Sequence, residues 1–340
     1  MNIGCNVWRG RKICNIMCNM IKVIITKNDS NQRLDRFLRK YLKNASISHI
    51  YKMIRKDVKL NGKRAKENTV LKEYDELLLY ISNDEAEKFK KNPRGYAAVK
   101  QFKIAYEDDE VLIVVKPPGL LIHGDRFEKK NTLTNQVISY FIEKGIYDIR
   151  EKTFVPAPSN RLDRNTGGLV VFGKNAEAVR LFNNLMKDKD KVEKNYITIV
   201  RGEIPEQIII DKSIEKNESE NQVKVVDSVT ENSKVKPSAT VVSPIDCKNG
   251  YTLADVRLLT GRTHQIRAHL SSEGYPIIGD HKYGDKKTNE IIKNRYGLTS
   301  QFLFAYKLFF HEGKPAGKEI YATLPEKFKT IKNDIFKNKN

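Results

Sequence analysis

Asn160-Arg161-Leu162-Asp163-Arg164-Asn165-Thr166-Gly167-Gly168 leads straight into Leu169-Val170-Val171-Phe172. A short polar segment thus opens a buried strand, and its one carboxylate stands between two guanidinium groups. Such neighbours favour the ionised form of a carboxyl group. The paired glycines suit a tight backbone that another group approaches closely. The pattern presents a charged carboxylate to an anionic, base-bearing substrate. Arg-Leu-Asp-Arg also stands at 33–36, but that copy continues into an amphipathic helix, so Asp35 reads as a helix-end charge.

The remainder of the chain has the charge to hold such a substrate. Its 340 residues carry 62 Lys and Arg against 42 Asp and Glu, a formal net charge of +20. A surplus of that size favours a polyanionic partner and salt-dependent affinity. Hydrophobic residues make up 39%, enough for a packed core. Nothing in the sequence approaches the roughly 18 continuous apolar residues of a membrane span, so nucleic acid is expected and a membrane is not. The four cysteines, Cys5, Cys14, Cys18 and Cys247, show no metal-site spacing. So few thiols in a long chain fit a reducing cytoplasm. Three of them lie within residues 1–19, which read as a disordered or wrongly included leader. An edge strand then starts at Met20.

Residues 33–42 place Leu34, Phe37, Leu38, Tyr41 and Leu42 at helical spacing. Ser46 can cap a second helix carrying Ile47, Ile50 and Ile54 on one side and Lys52, Arg55 and Lys56 on the other. Val58 to Arg64 alternates and contains Asn61-Gly62, a hairpin signal. A strand over 77–81 completes a compact module, 20–81. Its two helices and strand-turn resemble the S-four-type RNA-binding domain, although the usual glycine before the strand is replaced by Lys56-Asp57. The resemblance implies that Arg33, Lys52, Arg55 and Lys56 contact RNA phosphates.

Polar residues 82–101 read as a linker, and 102–330 as a second domain with a basic tail at 331–340. Strands are expected near 110–116, 168–173, 196–200, 238–243, 251–259, 302–310 and 317–323. Helices are expected after Asn175 and over 263–273. Residues 213–235, charged and lacking apolar periodicity, read as a mobile surface excursion. Strands outnumber helices and several adjoin in sequence. The fold class is therefore α+β, a mixed and largely antiparallel sheet with flanking helices.

Three further clusters share the chemical logic of Asp163. Glu193-Lys194-Asn195-Tyr196 puts Lys194 and Tyr196 on one face of a strand, where a tyrosine can stack on a base. Thr260 to Leu270 joins a strand to a helix whose buried stripe is Ile266 and Leu270. Arg262 stands at its entrance, placed to hold a carboxylate. His264 reads as a helix-end residue, and Gly279 to Gly284 as a polar loop without assigned role. No His-Glu-x-x-His, phosphate-binding Gly-rich loop, dinucleotide fingerprint or Gly-x-Ser-x-Gly elbow occurs, so metal hydrolysis, nucleotide hydrolysis, redox and serine-hydrolase chemistry lack support.

Taken together, Val114 to His123, Asn160 to Gly168, Val192 to Tyr196, Leu258 to His269 and Gly274 to Asp280 resemble the ribosomal large-subunit pseudouridine synthase family, in family order over about 190 residues. Asn160 stands where His is commoner, and Asn165 and Gly167 replace Asp and Ser. The resemblance implies a pseudouridine-synthase-like sheet and isomerisation of uridine in RNA, with no cofactor and no metal. Ribosomal RNA is the implied substrate and tRNA a second option. Asp163 would act as nucleophile or as base at the sugar, kept charged by Arg262. Tyr196 would stack on the turning base. Arg161 would fill the space the base leaves, while Arg164 and Lys194 steady phosphates or the loop. A monomer working in the cytoplasm is expected. A non-catalytic RNA-binding or ribosome-assembly protein on the same scaffold is the alternative.

Overall fold

The computed structural model describes residues 20–89, 98–148, 153–217, 222–226 and 235–337. The leader expected at 1–19 lies outside them. The chain divides into two compact units at 93/94, with Thr153 and Phe154 belonging to the first.

The first unit runs β1 (Ile21–Ile24), α1 (Leu34–Tyr41), α2 (Ile47–Lys56), β2 (Val58–Leu60), β3 (Lys63–Arg64), β4 (Glu76–Leu79) and α3 (Asn83–Phe89). The sheet order is β1-β4-β2-β3, so β1 is an edge strand. Ser46 caps α2 by accepting the amide of His49 at 3.2 Å, satisfying one of the helix's free donors. Asn61 and Gly62 both have positive φ, at 49° and 77°, between the paired Leu60 and Lys63. That is the two-residue turn whose twist suits a hairpin. Leu34, Phe37, Leu38, Ile50, Met53 and Ile54 fill the core beneath the sheet. Asp35 is more than a helix-end charge. It is buried, holds Arg33 through both carboxylate oxygens at 3.0 Å, and accepts the Tyr51 hydroxyl at 3.3 Å. Residues 83–89, read as linker, form α3 because Ala86 and Phe89 pack on this core.

The second unit runs β5 (Lys103–Glu107), β6 (Val111–Lys116), α4 (Leu133–Glu143), β7 (Gly167–Gly173), α5 (Ala176–Leu185), β8 (Val192–Arg201) and β9 (Ile208–Asp211). It continues with β10 (Ser213–Asn217), β11 (Gln222–Val226), β12 (Val235–Lys236), β13 (Ala239–Lys248), β14 (Tyr251–Leu258) and α6 (Gln265–Ser272). It closes with α7 (Lys286–Tyr296), β15 (Leu303–Phe310), β16 (Glu319–Tyr321) and α8 (Glu326–Phe336). Its main sheet has the order β5-β6-β7-β15-β8-β14-β13-β9, with β16 also on β15. Only β7 and β15 pair in parallel among the described strands; the others are antiparallel. The fold is thus the expected α+β arrangement.

Register positions the site. Gly168 of β7 lies opposite Ala305 of β15, Ala305 opposite Tyr196 of β8, and Tyr196 opposite Val256 of β14. One rung of the sheet therefore carries the loop before β7 towards Tyr196. Close approach is built into it. A Cβ on Gly168, at φ 119°, would overlap the backbone of Ala305. One on Gly167 would lie 2.9 Å from the Phe304 ring and 3.0 Å from Pro118. What comes near these glycines is the protein itself, strand β15 and Pro118.

Two expectations of irregular chain fail, because in each segment a few apolar residues find cover on the rest of the unit. Residues 213–235 contain a three-stranded sheet, β11-β10-β12, whose Ile214 and Val223 pack with Ala268 of α6. Of the basic tail expected at 331–340, residues 331–336 belong to α8, where Ile331 and Ile335 are buried in the main core, and 338–340 lie outside the described residues.

Candidate active site

Asp163 lies in the loop before β7, and its side chain keeps 28% exposure. The loop is fixed on both sides. Asn160 bonds β7 as a strand would, its amide donating to the Leu169 carbonyl at 3.0 Å and its oxygen accepting the Val171 amide at 2.9 Å. The Thr166 amide then closes a turn on the Asp163 carbonyl at 3.1 Å. Beneath it, Lys116 is fully buried at the end of β6. Its Nζ donates to the carbonyls of Leu120 at 2.8 Å, Arg164 at 2.9 Å and Pro117 at 3.1 Å. Burial pushes this ammonium down to about 7, against the opposing pull of Asp163. Three donors meet three carbonyls, so the lysine clasps the Pro117–Leu120 turn to the Asp163 loop.

The guanidinium paired with Asp163 is that of Arg267, not Arg262. Arg267 Nη1 donates to Asp163 Oδ2 at 2.9 Å. Its Nε and Nη2 grip both oxygens of Asp280, at 2.6 and 2.9 Å. Asp280 is fully buried, which raises its pKa, but bonding and charge from Arg267 outweigh burial and hold it below the usual carboxylate range. Arg262 instead sits before the helix, exposed, with Nε on the Pro237 carbonyl at 3.2 Å. The geometry of α6 explains the difference. Gln265 ties the helix entrance down by accepting the Arg262 amide and donating to Thr240 and Ala239. Two residues further on, Arg267 then points from the buried helix face to the carboxylate.

Tyr196 is 8% exposed in β8. Burial pushes its phenol far above the ordinary range, and the charge of Asp163 adds to the effect. The tyrosine and the carboxylate are therefore electrostatic neighbours, with the phenol protonated at neutral pH. His264, read from sequence as a helix-end residue, does begin α6, in left-handed conformation at φ 53°. Its Nε2 also lies 3.7 Å from Asp163 Oδ2.

The other expected residues divide. Arg161 is exposed on the loop, and Arg164 is exposed with its Nε on the Gly119 carbonyl at 3.3 Å. Lys194 is turned away from the site. Its Nζ donates to the Met186 carbonyl at 2.9 Å, stabilising the C-terminus of α5, and burial lowers its pKa. Period two placed it on a face correctly, but that face is covered by a helix there. In the first unit Lys52, Arg55 and Lys56 are exposed, whereas the guanidinium of Arg33 is taken up by Asp35. Sequence reasoning missed Lys116, Arg267 and Asp280. Each stands in a motif already singled out, and an aspartate following the apolar pair Ile277-Ile278 was the available signal.

The site thus joins a half-open, ion-paired carboxylate to a buried tyrosine on a mixed sheet. Residues 110–272 match the family described as RNA pseudouridylate synthase. The ribosomal large subunit pseudouridine synthase C of Buchnera aphidicola is 31% identical over 92% of this chain and 96% of its own. An uncharacterized RNA pseudouridine synthase of Mycoplasma capricolum is 36% identical over 80% of this chain and 87% of its own. The synthase C of Escherichia coli K12 is 31% identical over 90% and 94%. A solved structure, human RNA pseudouridylate synthase domain containing 4, shares the fold with TM-score 0.52 at 22% identity, over 66% of this chain and 89% of that one. The chain belongs to the RNA pseudouridine synthase family, and is an isomerase of uridine in RNA. Among the described residues no helix is long and apolar enough to cross a membrane.

Proposed function

We propose that this enzyme converts uridines of large-subunit ribosomal RNA to pseudouridine in the cytoplasm, with Asp163 as the catalytic carboxylate. The observation that carries the reading is the Asp280–Arg267–Asp163 chain of charge-assisted bonds, which ends on a carboxylate still open to solvent. Such pairing holds and orients the carboxylate for nucleophilic or base chemistry at the sugar. The uridine leaves its helix, at about a few kcal/mol of unstacking, and the bond from ribose to nitrogen breaks. The freed base turns while bound and rejoins through carbon, which gives up its proton while the freed nitrogen gains one. Tyr196 provides a stacking surface and a hydroxyl donor beside it, since its raised pKa disfavours the phenolate. Arg161, exposed on the same loop, occupies the space the base vacates. The first unit, S-four-like in its helices and hairpin, holds RNA phosphates through Lys52, Arg55 and Lys56. The curated relatives named for large-subunit RNA support that choice of substrate.

The test is a map of pseudouridine in ribosomal and transfer RNA from cells lacking the gene, complemented by wild type or Asp163→Asn. Loss of defined large-subunit sites, restored only by wild type, is expected. Sites lost from tRNA alone would overturn the substrate, and restoration by Asp163→Asn would overturn the role of Asp163.

A further inference from the structure

The small sheet that the sequence concealed touches the catalytic carboxylate through two side chains. The Val223 amide in β11 donates to the Tyr283 hydroxyl at 2.8 Å. The same hydroxyl lies 3.0 Å from His264 Nδ1. A hydroxyl has one proton, and with a lone pair already accepting from Val223 that proton is free to be donated to Nδ1. A ring that accepts this proton at Nδ1 is neutral and carries its own on Nε2. Nε2 is the atom 3.7 Å from Asp163 Oδ2. Arg267 approaches that same oxygen. Among the described residues none hydrogen-bonds Oδ1.

We propose that Tyr283 and His264 form a positioning relay, in which the β11 backbone sets the Tyr283 hydroxyl, the hydroxyl fixes the His264 tautomer, and the resulting Nε2–H helps Arg267 confine Oδ2, leaving Oδ1 as the reacting oxygen. The inference rests on Asp163 being the catalytic carboxylate. The ring is held tightly enough for the role. It meets Tyr283 edge-on with centroids 5.6 Å apart, and Arg267 lies 5.1 Å from the Tyr283 ring centroid. The Ser271 hydroxyl separately fixes the Tyr283 carbonyl at 2.8 Å.

The relay works only while His264 is neutral, because a protonated ring cannot accept from Tyr283 and pairs too strongly with Asp163. Burial lowers the His264 pKa. Asp163 and Asp280 pull it up, while Arg267 and Lys282 push it down. Tyr283 faces it from the same loop as Asp280, and β11 presents an uncharged amide. Removing the hydroxyl donor makes Nδ1 easier to protonate.

The experiment is the pH profile of the single-turnover rate at saturating RNA, between about pH 5 and 8. Tyr283→Phe should move the acid limb to higher pH, with the rate falling about fivefold near pH 6 and less than twofold near pH 8. His264→Asn, which tolerates the left-handed backbone, should lose about tenfold at all pH values and erase the effect of Tyr283→Phe. RNA affinity should not change. Ser271→Ala loosens the same loop and should leave the limb in place. Ring nitrogen shifts at about pH 7.5 should show the Nε2–H tautomer, assigned by its absence in His264→Asn. A limb unmoved in Tyr283→Phe, or an Nδ1–H tautomer, overturns the relay. Activity retained in Asp163→Asn overturns instead the reading beneath it.

Discussion

Arg267 and Asp163 are 104 residues apart in sequence, and Nη1 of the first lies 2.9 Å from Oδ2 of the second. The arginine can hold this position because its other nitrogens are anchored on Asp280. The more exposed anion is thus held by a cation that an already buried second anion keeps in place. That division separates the stability of the site from its chemistry, and the two are separable by mutation.

Asp163→Asn removes the charge and keeps the shape. Isomerisation should fall by at least ~1000-fold, while RNA binding changes little. Product formation in a single-turnover assay and a filter-binding isotherm on the same RNA measure the two. An active Asp163→Asn enzyme would contradict the assignment.

Arg267→Met strands Asp280 in the core without its partner. A buried charge deprived of its counter-ion costs about 3–5 kcal/mol, so urea unfolding should shift by that amount, and activity should vanish with it. Arg262→Ala breaks one bond to a backbone carbonyl on the surface. Its stability should change by less than about 1 kcal/mol, and its single-turnover rate by less than about threefold.

Gly168→Ala forces a Cβ into the Ala305 backbone at a φ of 119°. Destabilisation of at least about 3 kcal/mol is expected, from strain and from separation of β7 and β15. Thermal unfolding checks it. A melting temperature within a degree or two of wild type would show that the two strands can part without penalty.

Lys116→Met leaves three carbonyls without their donor, and should lower stability by roughly 1–3 kcal/mol and slow the reaction by loosening the Asp163 loop. The pH dependence has a definite sign. The folded pKa of about 7 lies below the unfolded value of 10.5, so between them the unfolded chain holds more protons and stability rises with pH. The wild type should therefore gain on Lys116→Met from pH 7 upward, as read by denaturant unfolding at several pH values.

Replacing Lys52, Arg55 and Lys56 together by Ala should weaken RNA binding and reduce the slope of log affinity against log salt by roughly 2, at about 0.7–0.9 per phosphate contact. The single-turnover rate at saturating RNA should hold. An unchanged salt slope would remove the first unit from RNA recognition.

Features resting on short-range chemistry were readable in advance. The Ser46 cap, the Asn61-Gly62 turn and the buried strand after Asp163 each follow from a few adjacent residues, and the strand that carries Tyr196 follows from alternation. Choosing among the arginines at 262 and 267 required knowing where α6 begins, and that depends on Gln265 bonding residues 239 and 240, over 20 positions away. Lys194 shows the same limit: alternation told its face, not that the end of α5 covers it. Asp35 looked like a surface charge because its partner Tyr51 belongs to the next helix. Residues 213–217 and 222–226 looked unstructured because their apolar residues are sparse, and Ile214, Val223 and Val225 find cover on Ala268 of α6 and on Tyr283.

The position of β15 between β7 and β8 constrains the order of assembly. Strands formed from residues 167–173 and 192–201 have no direct partner in each other; residues 303–310 must come between them. During synthesis the chain emerges N-terminus first, so both strands leave the ribosome well before the segment that joins them. The catalytic sheet therefore cannot close until residues 303–310 have left the ribosome, however early the strands on either side of them form.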